Sequence, residues 1–342
     1  MTTWSFLPPT PRRRSGSGRG RKGRLVMTLL VRDEIDLIER NLEHHLSSGV
    51  DFIVATDNGS VDGTREVLAR YQDKGLLYLI DEPGQDYAQA TWVNRMGRLA
   101  YEEFGADFIF HCDADEFWYA LSGDLTREIA RGPAHAYKAH SFTVHLADRG
   151  GKETMNDAVY LGFETFSATT ATPTKLKRKR RLNPGLGKVM TCTRDGYPEV
   201  TMGNHSLASG EPVPWSRDLY LLHYPIRSYE QFERKVVQGG EAVMRNPDLT
   251  PRQALHWREW YAHYRAGTLG QDYRALVIRD PEPLLRQGVL VDLRTLSTSE
   301  LRAAVSDAIR RRTRRPPLGA RVRRKAAAAL AQARQTVQRS PL

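Results

Sequence analysis

The sequence predicts an α/β fold: a mostly parallel sheet with helices on both faces, followed by C-terminal helices and flanked by basic tails. Three observations predict it. Apolar runs of strand length recur through the first third of the chain. Helical patterns alternate with them across short connections. A polar cluster follows directly on three of the runs, where open parallel sheets place their ligands.

The elements follow in order. RLVMTLLV, residues 24–31, is a first buried strand. Asp33 to Leu46 is a helical pattern with Ile35, Ile38, Leu42 and Leu46 on one face, ended by Gly49. VDFIVAT, residues 50–56, is the second strand, and DNGSVDGT, residues 57–64, is built from the residues turns prefer. Glu66 to Tyr71 is helical, GLLYLI (75–80) is a strand, and a longer helix spans Tyr87 to Phe104. The next strand, beginning at Phe108, runs straight into Asp113, Asp115 and Glu116. Later, AYKAHSFTVHL (136–146) reads as a strand, as do the stretches around Val189, Val200 and Leu221. Arg227 to Gly239 and Pro251 to Ala266 read as helices, and KAAAALAQARQ as a helix in a basic appendage. The expected organisation is a disordered basic tail at 1–24, an α/β domain at 25–245, a helical extension at 246–309 and a flexible basic tail at 310–342.

The chain has 342 residues, 40% hydrophobic and 27% charged, which is room for one large α/β domain with additions or for two ordinary ones. The net charge of +11 suggests nucleic acid until it is divided along the chain. Residues 1–24 and 310–342 hold eighteen of the 51 basic residues and no acid, leaving 33 basic residues against all 40 acids in the body, a net −7. Nucleic-acid binding is therefore not expected as the main function. The tails suit an anionic membrane surface, and the expected location is cytoplasmic, peripheral at the inner face of the membrane. No apolar run reaches the roughly 18 residues of a membrane span, and the basic N-terminal stretch leads into no apolar segment of a signal peptide. Two cysteines, Cys112 and Cys192, are too few for a disulfide framework or a cysteine-based zinc site.

Asp113 and Asp115 stand two apart at a strand end, so in extended backbone their side chains leave on the same side. Two such carboxylates repel unless a cation or a proton lies between them. Mg²⁺ or Mn²⁺, which take carboxylate and phosphate oxygens together, satisfies that requirement.

The motifs then resemble a known family. HCDADEFW, residues 111–118, is similar to the Asp-x-Asp motif of glycosyltransferases with the GT-A (Rossmann-like) fold, and TDNGSVDGT resembles the DDGSTDGT signature of family 2, with Asn58 in place of its second aspartate. LLVRDE sits where that family has a strand followed by Asn-Glu, with Asp33 replacing the asparagine. The likeness extends to a bacterial family 2-like group through DADEFW, GNHS at 203–206 and LHYPIRS at 222–228, and covers about residues 25 to 245. It implies a hexosyltransferase-like enzyme that moves a sugar, with inversion, from a nucleotide-sugar donor to an acceptor it does not identify; the basic tails, through a membrane surface, would suit a cell-envelope glycan or lipid-linked acceptor. By the same likeness Asp57 contacts the donor base or ribose, with Asn58 beside it and Arg32 and Asp33 on the first loop. Asp113 lies near the ribose and the metal, and Asp115 binds the metal. His223, or alternatively His205, completes the metal site. WVNRMGRLA stands, altered, where the family has Ala-Arg-Asn, so Asn94 and Arg95 either do related work on the donor or only cap and decorate a helix.

An inverting transfer needs one carboxylate base to deprotonate the acceptor. Glu116 and Glu164 are the expected candidates, ahead of Asp157 and Asp195. KLKRKRR (175–181), with six basic residues in seven, reads as a solvated loop or a phosphate clamp. Arg227, Arg234 and Lys235 follow His223 and could hold the departing diphosphate. Trp215, Trp257 and Trp260 read as core, and His44–His45 as helix surface. Two other function classes compete: a sugar nucleotidyltransferase or related metal-dependent nucleotide enzyme, disfavoured by the lack of a glycine-rich, lysine-containing loop near the first strand, and a nucleic-acid or membrane-surface binder acting through its tails.

Overall fold

In a computed structural model, residues 23–84, 88–163, 187–247 and 254–314 are described. The order of the sheet follows from alternation within the strands. In β1 (Leu25–Val31), Leu25, Met27, Leu29 and Val31 enter one core, while Val26 enters another on the opposite face. The first core is closed by Ile38 and Leu42 of α1 (Ile38–Ser47) and by Val67, Leu68 and Tyr71 of α2 (Thr64–Asp73). The second is closed by Val93, Met96 and Ala100 of α3 (Gln89–Glu102). A sheet covered on both faces needs apolar residues at both parities, which is why its strands read as continuous apolar runs.

β1 pairs in parallel with β2 (Phe52–Asp57) and β4 (Phe108–Asp113), and β2 with β3 (Leu77–Asp81), giving the order β3-β2-β1-β4. The register aligns Asp57 with Val31 and with Asp81, and Asp113 with Leu30. The strand ends that carry the polar clusters thus share one edge.

The fold class is the expected α/β, and the parallel arrangement holds for these four central strands. Beyond β4 most pairs are antiparallel. The chain turns at Ala114–Asp115 directly into β5 (Glu116–Ala120), which pairs with β9 (Trp215–His223). After the short α4 (Arg127–Arg131), β6 (Ala136–Leu146) runs for eleven residues. That length lets it pair with β7 (Ala158–Gly162), β8 (Lys188–Cys192) and β9, and β8 in turn pairs with β4. The expected strand at Val200 is a single bridge to Leu207 beside a turn of 3-10 helix, Met202–Asn204.

A third core gathers β5, β6 and β9 with α5 (Tyr229–Arg245), α7 (Leu269–Arg274) and α9 (Thr298–Arg314). α6 (Leu255–Arg265) lies against α5, where Gly240 gives it room: a Cβ there would stand 2.4 Å from the Tyr261 ring. Trp257 and Trp260 are half-buried against this core, and Trp215 stacks on His140 at the sheet margin. The C-terminal stretch is not helical throughout. After α8 (Glu282–Arg286), β10 (Leu290–Asp292) pairs with β7, inside the 25–245 region. α9 continues through Arg314, past the expected boundary at 309/310, because Leu301, Val305, Ala308 and Ile309 keep one face in the core. No helix among the described residues is long and apolar enough to cross a membrane.

His44 and His45 correct their expected surface position. Both are buried: His44 Nε2 donates to the Trp118 carbonyl at 2.8 Å, and His45 bonds the Asn41 carbonyl at 2.8 Å. Asn41 ties the same helix to β5 by donating to the carbonyls of Ala114 (2.9 Å) and Glu116 (2.8 Å). These polar side chains sit on the buried face of α1 and fix it to the turn that carries Asp115.

Candidate active site at the carboxyl edge of the parallel strands

The loop after β1 takes shape around Asp33, which has φ 53°, and α1 therefore starts at Ile38 and not at Asp33. Asp33 accepts from the Val61 amide at 2.7 Å, donates its own amide to Ser60 Oγ at 3.0 Å, and accepts from Gln238 Nε2. Its carboxylate is buried and committed to the β2 turn and to α5. Arg32 lies beside it, Nε to Asp33 Oδ2 at 3.8 Å. At the end of β2, Asp57 Oδ2 accepts from the Ser60 amide at 3.0 Å. Asp57 Oδ1 is buried and has no hydrogen-bond partner among the described residues. A buried carboxylate oxygen without a donor is costly, and an ordered water or a ligand N–H or O–H would satisfy it.

Asn58 donates to the carbonyls of Glu82 and Gly84, so it closes the loop after β3. Asn94 donates to the Val200 carbonyl (3.0 Å) and accepts from the Val200 amide (2.9 Å) and Tyr197 Oη (2.8 Å). Arg95 pairs with Glu82 at 2.9 Å. Asn58 and Asn94 act here as braces that hold loops around the edge, and Arg95 is engaged by that same neighbouring loop.

Each of the two aspartates of the carboxylate cluster has a cationic side chain of its own. Asp113 Oδ2 accepts from Lys188 Nζ at 2.6 Å, and Lys188 also lies 3.3 Å from Glu116 Oε1. Asp115, in the turn, accepts from Lys235 Nζ on Oδ2 at 2.6 Å and stands 3.5 Å from His223 Nε2 on Oδ1. The two carboxylates are thus neutralised separately, by two lysines from β8 and α5. Strand register brings His223 in, since β9 places it opposite Glu116. Gly187 brings Lys188 in: it has φ +71°, and a Cβ there would meet the Ala139 carbonyl at 2.5 Å. His205 Nδ1 bonds the Gly187 carbonyl at 2.7 Å, so the alternative histidine supports the Lys188 strand from behind.

The electrostatics follow from burial and these partners. Burial alone would raise the Asp115 carboxyl, but Lys235 and His223 overcome it and hold it well below the usual carboxylate range. Burial would lower His223, and Asp115 more than reverses that. Burial pushes Glu116 up to about 7, against Lys188 and with help from Asp113. Glu116 is 2% exposed and turned to Lys188 and the Asp113 amide. That position suits an anchor of the turn and shields it from an acceptor arriving from solvent. Glu164 and the KLKRKRR stretch lie outside the described residues.

Arg227 also departs from its expected role. It is 1% exposed, bonded to Glu34, to Asp36 at 2.6 and 3.0 Å and to the Tyr224 carbonyl at 3.1 Å. It therefore clamps the β1 loop to the start of α5. Arg234 donates to the Asp33 carbonyl at 3.1 Å. Lys188, Glu34 and Gln238 were not among the expected site residues. Gln231, Lys235 and Gln238 form an i, i+4, i+7 polar stripe on α5, beside the apolar stripe of Phe232, Val236 and Val243, and that stripe was the available signal for Gln238; Lys188 and Glu34 had none.

The cluster can be tested for a divalent cation. Two cis ligands about 2.1 Å from an octahedral ion stand about 3 Å apart. Asp115 Oδ1 and His223 Nε2, at 3.5 Å, fit such a pair, while Asp113 is engaged by Lys188. Among the described residues no group of three or more His, Cys, Asp or Glu is arranged to hold a metal. Asp115 and His223 are thus a pair and not a three-residue metal centre; an ion of the Mg²⁺ type held by so few protein ligands would have to complete its shell with water and phosphate oxygens.

No protein-family model matches the chain, and no curated protein sequence matches it. Among solved structures it is similar to glucosyl-3-phosphoglycerate synthase from Mycobacterium tuberculosis in complex with Mn2+, uridine diphosphate and phosphoglyceric acid, at 19% identity over 38% of this chain and 45% of that one, with a TM-score of 0.27. It is also similar to S. aureus TarS 1–349 in complex with UDP, at 11% identity over 84% of this chain and 91% of that one, with a TM-score of 0.31. The chain thus spans less than half the length of the mycobacterial synthase chain.

Proposed function

We propose that the chain is a metal-dependent glycosyltransferase that moves a sugar, with inversion, from a nucleotide-sugar donor to an acceptor hydroxyl. One observation carries the reading. A single sheet edge holds a buried acceptor without a donor among the described residues, Asp57 Oδ1 at the end of β2, and two strands across, at the end of β4, a cluster of carboxylates and ammonium groups. A nucleoside diphosphate has that same polarity, with N–H and O–H donors at one end and a chain of anionic oxygens at the other.

In this reading Asp57 accepts from the nucleoside, with Asn58 and Arg95 fixing the loop around it. Asp115 and His223 hold the cation, and Asp113, kept in place by Lys188, lines the ribose side. Mn²⁺ or Mg²⁺ held by these two residues would supply positive charge against the diphosphate as it leaves. Lys235 adds a second positive charge on the same side. The base must touch the acceptor hydroxyl. Glu116 is held by Lys188, which makes Glu164 the carboxylate to test. The basic tails suit an acceptor at an anionic membrane surface, such as a lipid-linked or cell-envelope glycan.

The test is incubation with a panel of sugar nucleotides and Mn²⁺, reading release of nucleoside diphosphate. Slow donor hydrolysis by the wild type that disappears in Asp115→Ala supports the reading. Pyrophosphate release from a nucleoside triphosphate would instead make the chain a nucleotidyltransferase.

A further inference from the structure

Two lysines neutralise the cluster, and they are not equivalent. Lys188 projects from β8, its side chain is 7% exposed, and it contacts both Asp113 and Glu116. Lys235 projects from α5, its side chain is 33% exposed, and it contacts Asp115 at 2.6 Å and Glu34 at 3.4 Å. Lys188 is a fixed element of the fold. Lys235, the more exposed of the two, reaches the cluster from α5.

The helix beneath it is fixed. Arg227 is buried against Glu34 and Asp36, and Ser228 caps α5 by accepting from the Gln231 amide at 3.1 Å. Further along, Gln238 bonds Asp33. The backbone that carries Lys235 is therefore pinned on both sides, and only its side chain is free to change partner.

Asp115 Oδ2 is the oxygen that Lys235 holds, and Oδ1 is the one near His223. A divalent ion held by Asp115 and His223 would place two positive charges beside the ammonium. Like-charge repulsion then disfavours the ammonium on the other oxygen of the same carboxylate, and the anion gained by the site is the diphosphate that would arrive with the ion.

We propose that Lys235 is an exchangeable counter-ion: it holds Asp115 when the site is empty of ligand, yields Asp115 to the divalent cation, and then pairs with the donor diphosphate. The proposal rests on the glycosyltransferase reading for the second partner only. The competition at Asp115 stands on the contacts of Lys235 itself. The exchange keeps the empty site close to neutral and its carboxylates in place. It also makes the cation and the nucleotide bind better together than either does alone.

The experiment titrates Mn²⁺ alone, and then UDP and GDP at saturating Mn²⁺, into the wild type, Lys235→Met and Lys235→Gln, with thermal melting to verify folding. Removing the competing ammonium tightens Mn²⁺ binding, by about 5- to 150-fold on the usual scale of coupling between sites. The same variants bind the preferred nucleotide about tenfold or more weaker, through loss of a charge-assisted hydrogen bond. In an Asp115→Ala background the Mn²⁺ difference disappears. Equal or weaker Mn²⁺ binding by folded variants overturns the exchange, even if nucleotide still binds. Tighter Mn²⁺ binding with no nucleotide binding by any protein upholds the competition at Asp115 and overturns the glycosyltransferase reading instead.

Discussion

Replacing Arg227 separates two roles that predict different outcomes. Its position in LHYPIRS suggests a group that holds phosphate, whereas the structure makes it a buried clamp. The guanidinium makes ionic contacts to Glu34 and Asp36 and donates to the Tyr224 carbonyl. Asp36 is part-exposed and regains water when the arginine is removed, so its share is small. Glu34 is buried, and without Arg227 its remaining cation is Lys235 at 3.4 Å. Breaking a buried pair on one side typically costs about 3–5 kcal/mol. At about 2–4 °C per kcal/mol, this lowers the melting temperature of Arg227→Met by roughly 10 °C, with no ligand present. The assay is thermal and urea unfolding of Arg227→Met, Glu34→Gln and the double variant. The double variant recovers at least about 1 kcal/mol relative to the sum of the singles, because it removes the uncompensated charge. An Arg227→Met protein as stable as the wild type, with only its nucleotide affinity reduced, would refute the clamp and restore the phosphate role.

Asp57→Asn keeps an acceptor for the Ser60 amide and replaces the unpartnered oxygen with a donor group. Its melting temperature stays near that of the wild type while nucleotide affinity falls about tenfold or more, measured by calorimetry. Acid stability follows from buried neutral histidines. Burial pushes His44, His140 and His145 each down from 6.5 to about 4. Between those values the unfolded chain binds protons that the folded chain refuses. The contribution of these three histidines is therefore constant above about pH 6.5, falls as pH drops toward 4 by on the order of 1 kcal/mol per histidine per pH unit, and levels off below; the raised Glu116 and His223 act in the opposite sense, losing stability as pH rises toward and past 7. Urea midpoints at pH 7.5, 6, 5 and 4.5 check this, and a flat profile contradicts it.

The first half of the fold was readable because a doubly covered parallel sheet announces itself as apolar runs between helices. The runs at 24–31, 50–56, 75–80 and from Phe108 became β1 to β4, each within a residue or two of its bounds. The strand–helix alternation stops after β4, and so does the legibility. Nothing local says that β5 pairs with β9 across about a hundred residues, or that β8 inserts beside β4. That pairing decides the site. It carries His223 to Asp115 and Lys188 to Asp113. The sequence showed two carboxylates that had to be neutralised, and periodicity could not show that lysines from two distant elements meet them. The same limit misplaced Arg227 and the His44–His45 pair. A charge beside a motif looks available to ligand until the fold shows it buried, and a polar pair on a helix looks solvated until the partner strand supplies carbonyls.

The central claim is that this edge holds a nucleoside diphosphate through a divalent cation on Asp115. The most direct test is calorimetric titration of UDP and GDP, each with and without Mn²⁺, into the wild type and Asp115→Ala. The account predicts binding of one nucleotide that requires Mn²⁺ and is lost in Asp115→Ala. Nucleotide binding that is indifferent to Mn²⁺ and unchanged in the variant would contradict it.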